Sequence, residues 1–335
     1  MIALFPGQGS QHVGMGKDLC ENFKLAREIF EEASDASKLN LKKLCFDGPE
    51  SDLTLTENTQ PCLLTASVAA FRVAQAETGF KPSAVAGHSL GEYSALVAAG
   101  GIPLAAAARW VRERGAAMQR AVPAGQGTMA AVLGMEDAPV EKLCEQATEE
   151  AKAARAKGQA EELTVEAVVQ PVNYNSPGQL VLAGSTDAVA HAITLIKGAG
   201  GKAIPLTVSA PFHSKLMGPA RDRMAELFAQ ALPSEKPSAL ACPYVPNRTA
   251  RLTQEPGLVF EMLVEQVDHA VLWKQSILTL LAAGHQMGVE FGPGKVLQGL
   301  ARRITQEGGK PLALSGCSDS AGISALGPWL KGAPR

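Results

Sequence analysis

Ala84-Val85-Ala86-Gly87-His88-Ser89-Leu90-Gly91-Glu92-Tyr93-Ser94-Ala95-Leu96 puts an apolar run, a serine between glycines and the start of a helical pattern in direct succession. Ala84 to Ala86 predicts a buried strand, Gly87-His88-Ser89-Leu90-Gly91 fits G-x-S-x-G, and Tyr93 to Ala99 predicts a helix. Strand, sharp turn and helix form the setting of a nucleophile elbow. Glycines relieve a turn too tight for side chains, and the strained backbone turns the Ser89 hydroxyl outward. The helix that follows aims its free N–H groups and positive dipole end at the place where an oxyanion would form. A bare G-x-S-x-G also arises by chance; the strand before it and the helix after it favour the catalytic reading.

Upstream, Ile2 to Phe5 predicts a strand that runs into Pro6-Gly7-Gln8-Gly9-Ser10-Gln11. A dinucleotide fingerprint would need glycine where His12 stands, and the Gly-Lys-Ser/Thr ending of a P-loop is missing. The loop is therefore either a plain tight turn or a donor of backbone N–H groups and the Gln8 side chain to a cleft. Lys17 to Leu44 carries an amphipathic helical pattern closed by Asp47-Gly48-Pro49, and Thr59-Gln60-Pro61 opens a helix with Pro61 at its first position.

Downstream, Pro103 starts a helix that runs to about Arg120. Ala107, Val111, Arg114 and Met118 share one face, so Arg114 lies on the apolar stripe, while Arg109, Arg112, Glu113 and Arg120 fall on the solvated side. A buried guanidinium needs an anion. A structural ion pair and a substrate carboxylate are both open readings.

Pro123 to Gly127 marks the boundary of a second unit. The order beyond it is strand (129–133), helix (from 138), strand (168–173), strand (179–183), helix (186–198), strand (203–208), a ferredoxin-like β-α-β-β-α-β succession. Glu145 to Glu162, with charges alternating in sign, predicts a solvated helical extension. Ser209-Ala210-Pro211-Phe212-His213-Ser214 then leads into a helix, which sets His213 at a junction where side chains point into clefts and makes it the best partner for Ser89 among six histidines. A helix over Val271 to Leu281 and a strand, Gly292-Pro293-Gly294 turn and helix follow; Ser318 to Arg335 looks peripheral.

The chain of 335 residues has room for about two domains. Its 46% hydrophobic and 19% charged residues fit a globular enzyme, and a net charge of −2 gives no reason to expect nucleic acid or an anionic membrane as partner. Six scattered cysteines form no C-x-x-C pair and read as reduced core thiols, with no metal site, in a cytoplasmic protein. The N-terminus lacks a signal-peptide pattern, and no window approaches a membrane span.

These pieces together resemble the bacterial malonyl-CoA:acyl carrier protein transacylase family of type II fatty-acid synthesis. The resemblance covers Ile2 to about Ile304 and rests on Phe5-Pro6-Gly7-Gln8-Gly9-Ser10-Gln11, Thr59-Gln60-Pro61, Gly87 to Leu96, Arg114-Gly115 with Met118-Gln119, Asn173-Tyr174-Asn175-Ser176-Pro177-Gly178-Gln179, Pro211-Phe212-His213-Ser214 and Gly292 to Leu297. It implies an α/β fold: a hydrolase-like core with a parallel sheet and nucleophile elbow (residues 1–124 and 209–335), plus an inserted small ferredoxin-like (α+β) domain (125–208).

It further implies Ser89 as nucleophile, His213 as general base and Arg114 as clamp for the malonyl carboxylate. The oxyanion donors would be the N–H groups of Gln8 and Leu90. Asn175 would order the cleft, and Gln266 would orient His213 through its backbone carbonyl, with no acidic third member. Malonyl-CoA, CoA and acyl carrier protein would be the partners of a monomer without cofactor. A trans-acting polyketide-synthase acyltransferase shares every motif; a serine thioesterase would not need Arg114. Two departures stand out. Val267-Asp268-His269-Ala270 occupies the place where the family usually has an aromatic, an asparagine and a proline before Val271-Leu272-Trp273, and the stretch from about 146 to 164 is longer than usual.

Overall fold

The computed structural model describes residues 1–158, 163–208, 210–308 and 311–331. Among them the strands are β1 (Ile2–Phe5), β2 (Ala84–Gly87), β3 (Gly127–Leu133), β4 (Val169–Ser176), β5 (Gln179–Ser185), β6 (Lys202–Pro205), β7 (Tyr244–Val245), β8 (Met287–Phe291) and β9 (Ala313–Cys317). The larger sheet runs β7-β2-β1-β8-β9 with every neighbour parallel. β1 and β2 are buried throughout, as a sheet covered by helices on both faces requires.

Alternate residues serve opposite faces. Ala3, Phe5 and Val85 join one core with Phe71 and Phe291, while Ile2, Leu4, Ala84 and Ala86 join another with Trp273, Ile277 and Leu300. The helix Thr56–Thr78 fills the first core; its Phe71 ring lies 5.8 Å from Phe5 and 5.3 Å from Phe291. It begins before Pro61, which sits inside the helix rather than opening it. So near the N-terminus a missing N–H forfeits only one bond of a long helix. The helical pattern over 17–44 forms three helices, Lys17–Asn22, Lys24–Ser37 and Leu41–Asp47, separated by extended Phe23 and by Lys38 at φ 57°.

The smaller sheet runs β4-β5-β3-β6, all antiparallel. With the helices Asp137–Ala156 and Thr186–Gly198 it has the ferredoxin-like order expected from the sequence. β6 stops at Pro205, short of the predicted Val208. The helix after β3 is solvated on one side only: Ala147 and Ala151 are buried, and Arg155 Nε meets Asp187 Oδ2 at 2.6 Å. The last part of the predicted extension, 159–162, lies outside the described residues.

Two backbone bonds help tie this sheet to the core: Val271 N–H to the Val172 carbonyl (2.8 Å) and Tyr174 N–H to the Val271 carbonyl (3.0 Å). Of the stretch expected to be peripheral, 318–331 is described and is not peripheral, and 332–335 lie outside the described residues. β9 closes the parallel sheet, and the helix Ser320–Lys331 buries Ile323 and Leu326 in the main core. Its Gly, Ala and Ser residues hide a short apolar stripe at helical spacing. All six cysteines are buried and free.

Candidate active site

β2 ends at Gly87 and the helix Gly91–Ala98 begins four residues later, with Ser89 at the tip and φ 51°. The flanking glycines are sterically required. A Cβ on Gly87 would stand 1.9 Å from the Gly91 carbonyl, and one on Gly91 would stand 2.1 Å from the Phe5 carbonyl oxygen. Asn247 fastens the turn: its Oδ1 accepts from Ser89 N–H (2.6 Å), and its Nδ2 donates to the Gly87 carbonyl (2.6 Å).

His213, buried and also left-handed at φ 62°, places Nε2 2.7 Å from Ser89 Oγ. Its Nδ1 lies 2.8 Å from the backbone carbonyl of Gln266. A carbonyl can only accept, so Nδ1 carries the hydrogen and Nε2 is left bare to receive the serine proton. Burial, and secondly the charge of Arg114, push the imidazole down to about 3, which keeps it neutral at ordinary pH.

Arg114 comes from the apolar stripe of the helix Leu104–Arg120 and is 1% exposed. Nη1 donates to Gln60 Oε1 (2.8 Å), and Nη2 to Gln266 Oε1 (2.8 Å) and Ser89 Oγ (3.2 Å). Among the described residues its Nε has no partner, and no carboxylate bonds it directly. Burial lowers its pKa, yet a guanidinium stays charged. The cation therefore sits beside the serine with neutral oxygens as its hydrogen-bond acceptors and the Tyr93 ring 5.7 Å from its centre.

Behind it Gln266 Nε2 donates to Glu92 Oε2 (2.7 Å) and to the Ser89 carbonyl (2.9 Å). Burial pushes Glu92 up to about 7, against the pull of Asn247 N–H, Gln266 and Arg114.

Ser89, Arg114, His213, Gln8 and Asn175 line one cavity of about 440 Å³. Gln266 bonds three of them from behind. The N–H groups of Gln8 and Leu90 donate to no acceptor among the described residues. Asn175 Oδ1 meets His88 Nε2 at 2.9 Å, and burial lowers the His88 pKa.

Three contributors escaped the sequence reading. Asn247 sits in no motif. Gln60 stands in Thr59-Gln60-Pro61, where nothing in the sequence marks it as a partner of Arg114. Glu92 sits in the elbow itself, where a carboxyl on an otherwise apolar helix was the available signal. Among the described residues no three His, Cys, Asp or Glu side chains are grouped to hold a metal ion.

A serine bonded to an imidazole at the carboxyl end of a parallel sheet belongs to the hydrolase-like acyl-transfer class of α/β proteins. The family model described as an acyl transferase domain matches residues 3–319. The chain is 43% identical over 323 residues to the malonyl CoA-acyl carrier protein transacylase of Salmonella typhimurium strain LT2, covering 96% of this chain and 97% of that one. It is similar to the crystal structure of an acyl-carrier-protein S-malonyltransferase from Burkholderia pseudomallei 1710b, with TM-score 0.87, 39% identity and coverage of 98% and 99%. A malonyl-transacylase in complex with a holo type II PKS acyl-carrier protein matches with TM-score 0.85 and 39% identity, covering 97% of each chain. The chain belongs to the malonyl-CoA–acyl carrier protein transacylase family of acyltransferases.

Proposed function

We propose that this enzyme moves the malonyl group of malonyl-CoA onto Ser89 and then onto the phosphopantetheine thiol of acyl carrier protein, supplying malonyl-ACP for fatty acid biosynthesis. One observation carries the substrate assignment: the Arg114 guanidinium is buried, hydrogen-bonds only neutral oxygens and stands 3.2 Å from Ser89 Oγ. An acyl chain ending in a carboxylate supplies the missing anion in two-pronged geometry; an acetyl group leaves the cation unpaired.

His213 Nε2 takes the Ser89 proton as Oγ attacks the thioester carbonyl. The Gln8 and Leu90 N–H groups receive the tetrahedral oxyanion, each worth roughly 3–4 kcal/mol in such a role. Collapse breaks the carbon–sulfur bond, His213 returns the proton to the CoA sulfur, and malonyl-Ser89 remains. The carrier thiol reverses these steps. Burial is the larger cause of the lowered His213 pKa; the malonyl carboxylate offsets the second, the charge of Arg114.

Thioester exchange needs a nucleophile, a base and oxyanion donors, so we assign no cofactor. We read 1–124 with 209–335 as the catalytic unit and 125–208 as an inserted unit, in a cytoplasmic monomer. A polyketide-type carrier is the second reading, favoured by the likeness to the transacylase bound to a PKS carrier protein.

Intact mass after incubation with malonyl-CoA tests the reaction. The wild type should gain one malonyl group and lose it to added holo carrier protein, while Ser89→Ala should gain none. A stable adduct on the Ala variant would overturn the assignment of Ser89.

A further inference from the structure

We propose that Asp268 and Arg221 form a brace that holds His213 against Ser89, which makes both of them positioning residues for the base. The proposal rests on the serine–histidine reading above. The turn that supplies the Gln266 carbonyl to His213 Nδ1 continues through Val267 and Asp268 to His269. In the middle of that turn Asp268, its side chain 6% exposed, bonds Arg221 Nη1 through Oδ2 at 2.7 Å and His269 Nδ1 through Oδ1 at 2.8 Å. Arg221 belongs to the helix Gly218–Ala231, the first long element after His213. Its Nε and Nη2 are held from the other side by Asp222 Oδ1, at 3.0 and 2.7 Å.

The ion pair thus links the segment that carries the base to the segment that carries the base's carbonyl partner. Two observations say that this link is needed. His213 has φ 62°, a conformation that a histidine keeps only where its surroundings impose it. The turn from Gln266 to Ala270 contains no proline, so no ring restrains its backbone. A largely buried carboxylate tied to a guanidinium supplies that restraint from outside the turn.

Steady-state kinetics with malonyl-CoA on Arg221→Met, Asp268→Asn, the double variant and Arg221→Lys test the brace, with His213→Ala beside them. Arg221 is 40% exposed, so Arg221→Met should fold even if Asp268→Asn does not. Arg221→Met should lower kcat about tenfold with KM far less changed, because neither Arg221 nor Asp268 lines the cavity. The double variant should be no worse than either single one, as for two halves of one device. Arg221→Lys should recover most of the loss.

A kcat of Arg221→Met within about twofold of the wild type, or single losses that multiply in the double variant, would overturn the brace. If His213→Ala collapses while Arg221→Met does not, the brace alone fails. If His213→Ala stays near normal, the serine–histidine reading falls and the brace with it.

Discussion

Ser89 and His213 meet at 2.7 Å with nearly the same unusual backbone, φ 51° and φ 62°, but the two ends of that bond are built by opposite means. The serine end is shaped mainly by its own stretch of chain, with Asn247 fastening it from afar. Strand, turn and helix are contiguous, and Gly87 and Gly91 permit backbone contacts that any Cβ would block. The histidine end is assembled from distant segments: His213 itself, the Gln266 carbonyl and the Arg221–Asp268 pair. Steric necessity can be written in five adjacent residues, whereas a tether needs partners that only the fold brings together. The serine end should therefore fail all at once, and the histidine end by degrees.

The largest effect within that contrast belongs to His213→Ala. The fold should persist while the rate falls by ~10²–10⁴, the usual range for a lost general base, as single-turnover acylation would measure. A near-normal rate would move the base to another residue.

A subtler consequence is a pH profile. His213 acts only when neutral, and its folded pKa is depressed to about 3. kcat/KM for malonyl-CoA should accordingly stay flat as pH falls through 6.5 and decline only well below 5. An acid limb at the ordinary histidine value would contradict the dry setting of the imidazole.

The smallest effect concerns stability at the serine end. Glu92 is raised from 4.5 to about 7, so its contribution to folding is fully present below pH 4.5 and is lost as pH rises through 7. Glu92→Gln keeps an acceptor for Gln266 and Asn247 without the charge. Its stability relative to the wild type should rise between pH 5 and 8, by up to about 3 kcal/mol. Urea unfolding at both pH values checks this, and a difference independent of pH would show that Glu92 does not titrate there.

Legibility in the sequence follows the same divide. The elbow, the Arg114 stripe and the ferredoxin-like order were readable because each is a periodic or contiguous pattern. Gln266 entered only through family resemblance, since nothing local marks a carbonyl that serves a histidine 53 residues away. Asn247 and the Arg221–Asp268 pair were illegible for the same reason. Pro61 misled because a proline early in a helix reads as its start, although the preceding residues were free to form the first turn. The C-terminal helix was underrated because small residues diluted its stripe.

The substrate assignment meets its sharpest test in Arg114→Ala, with acyl transfer measured side by side for malonyl-CoA and acetyl-CoA. Removing the cation leaves a buried malonyl carboxylate without a partner, a loss of about 3–5 kcal/mol for interactions of this kind. It also lifts a positive charge from beside His213. Malonyl transfer should fall steeply while acetyl transfer holds steady or rises, and Arg114→Lys should recover malonyl transfer only in part. Equal loss of both activities would make Arg114 a structural group and contradict its pairing with the malonyl carboxylate.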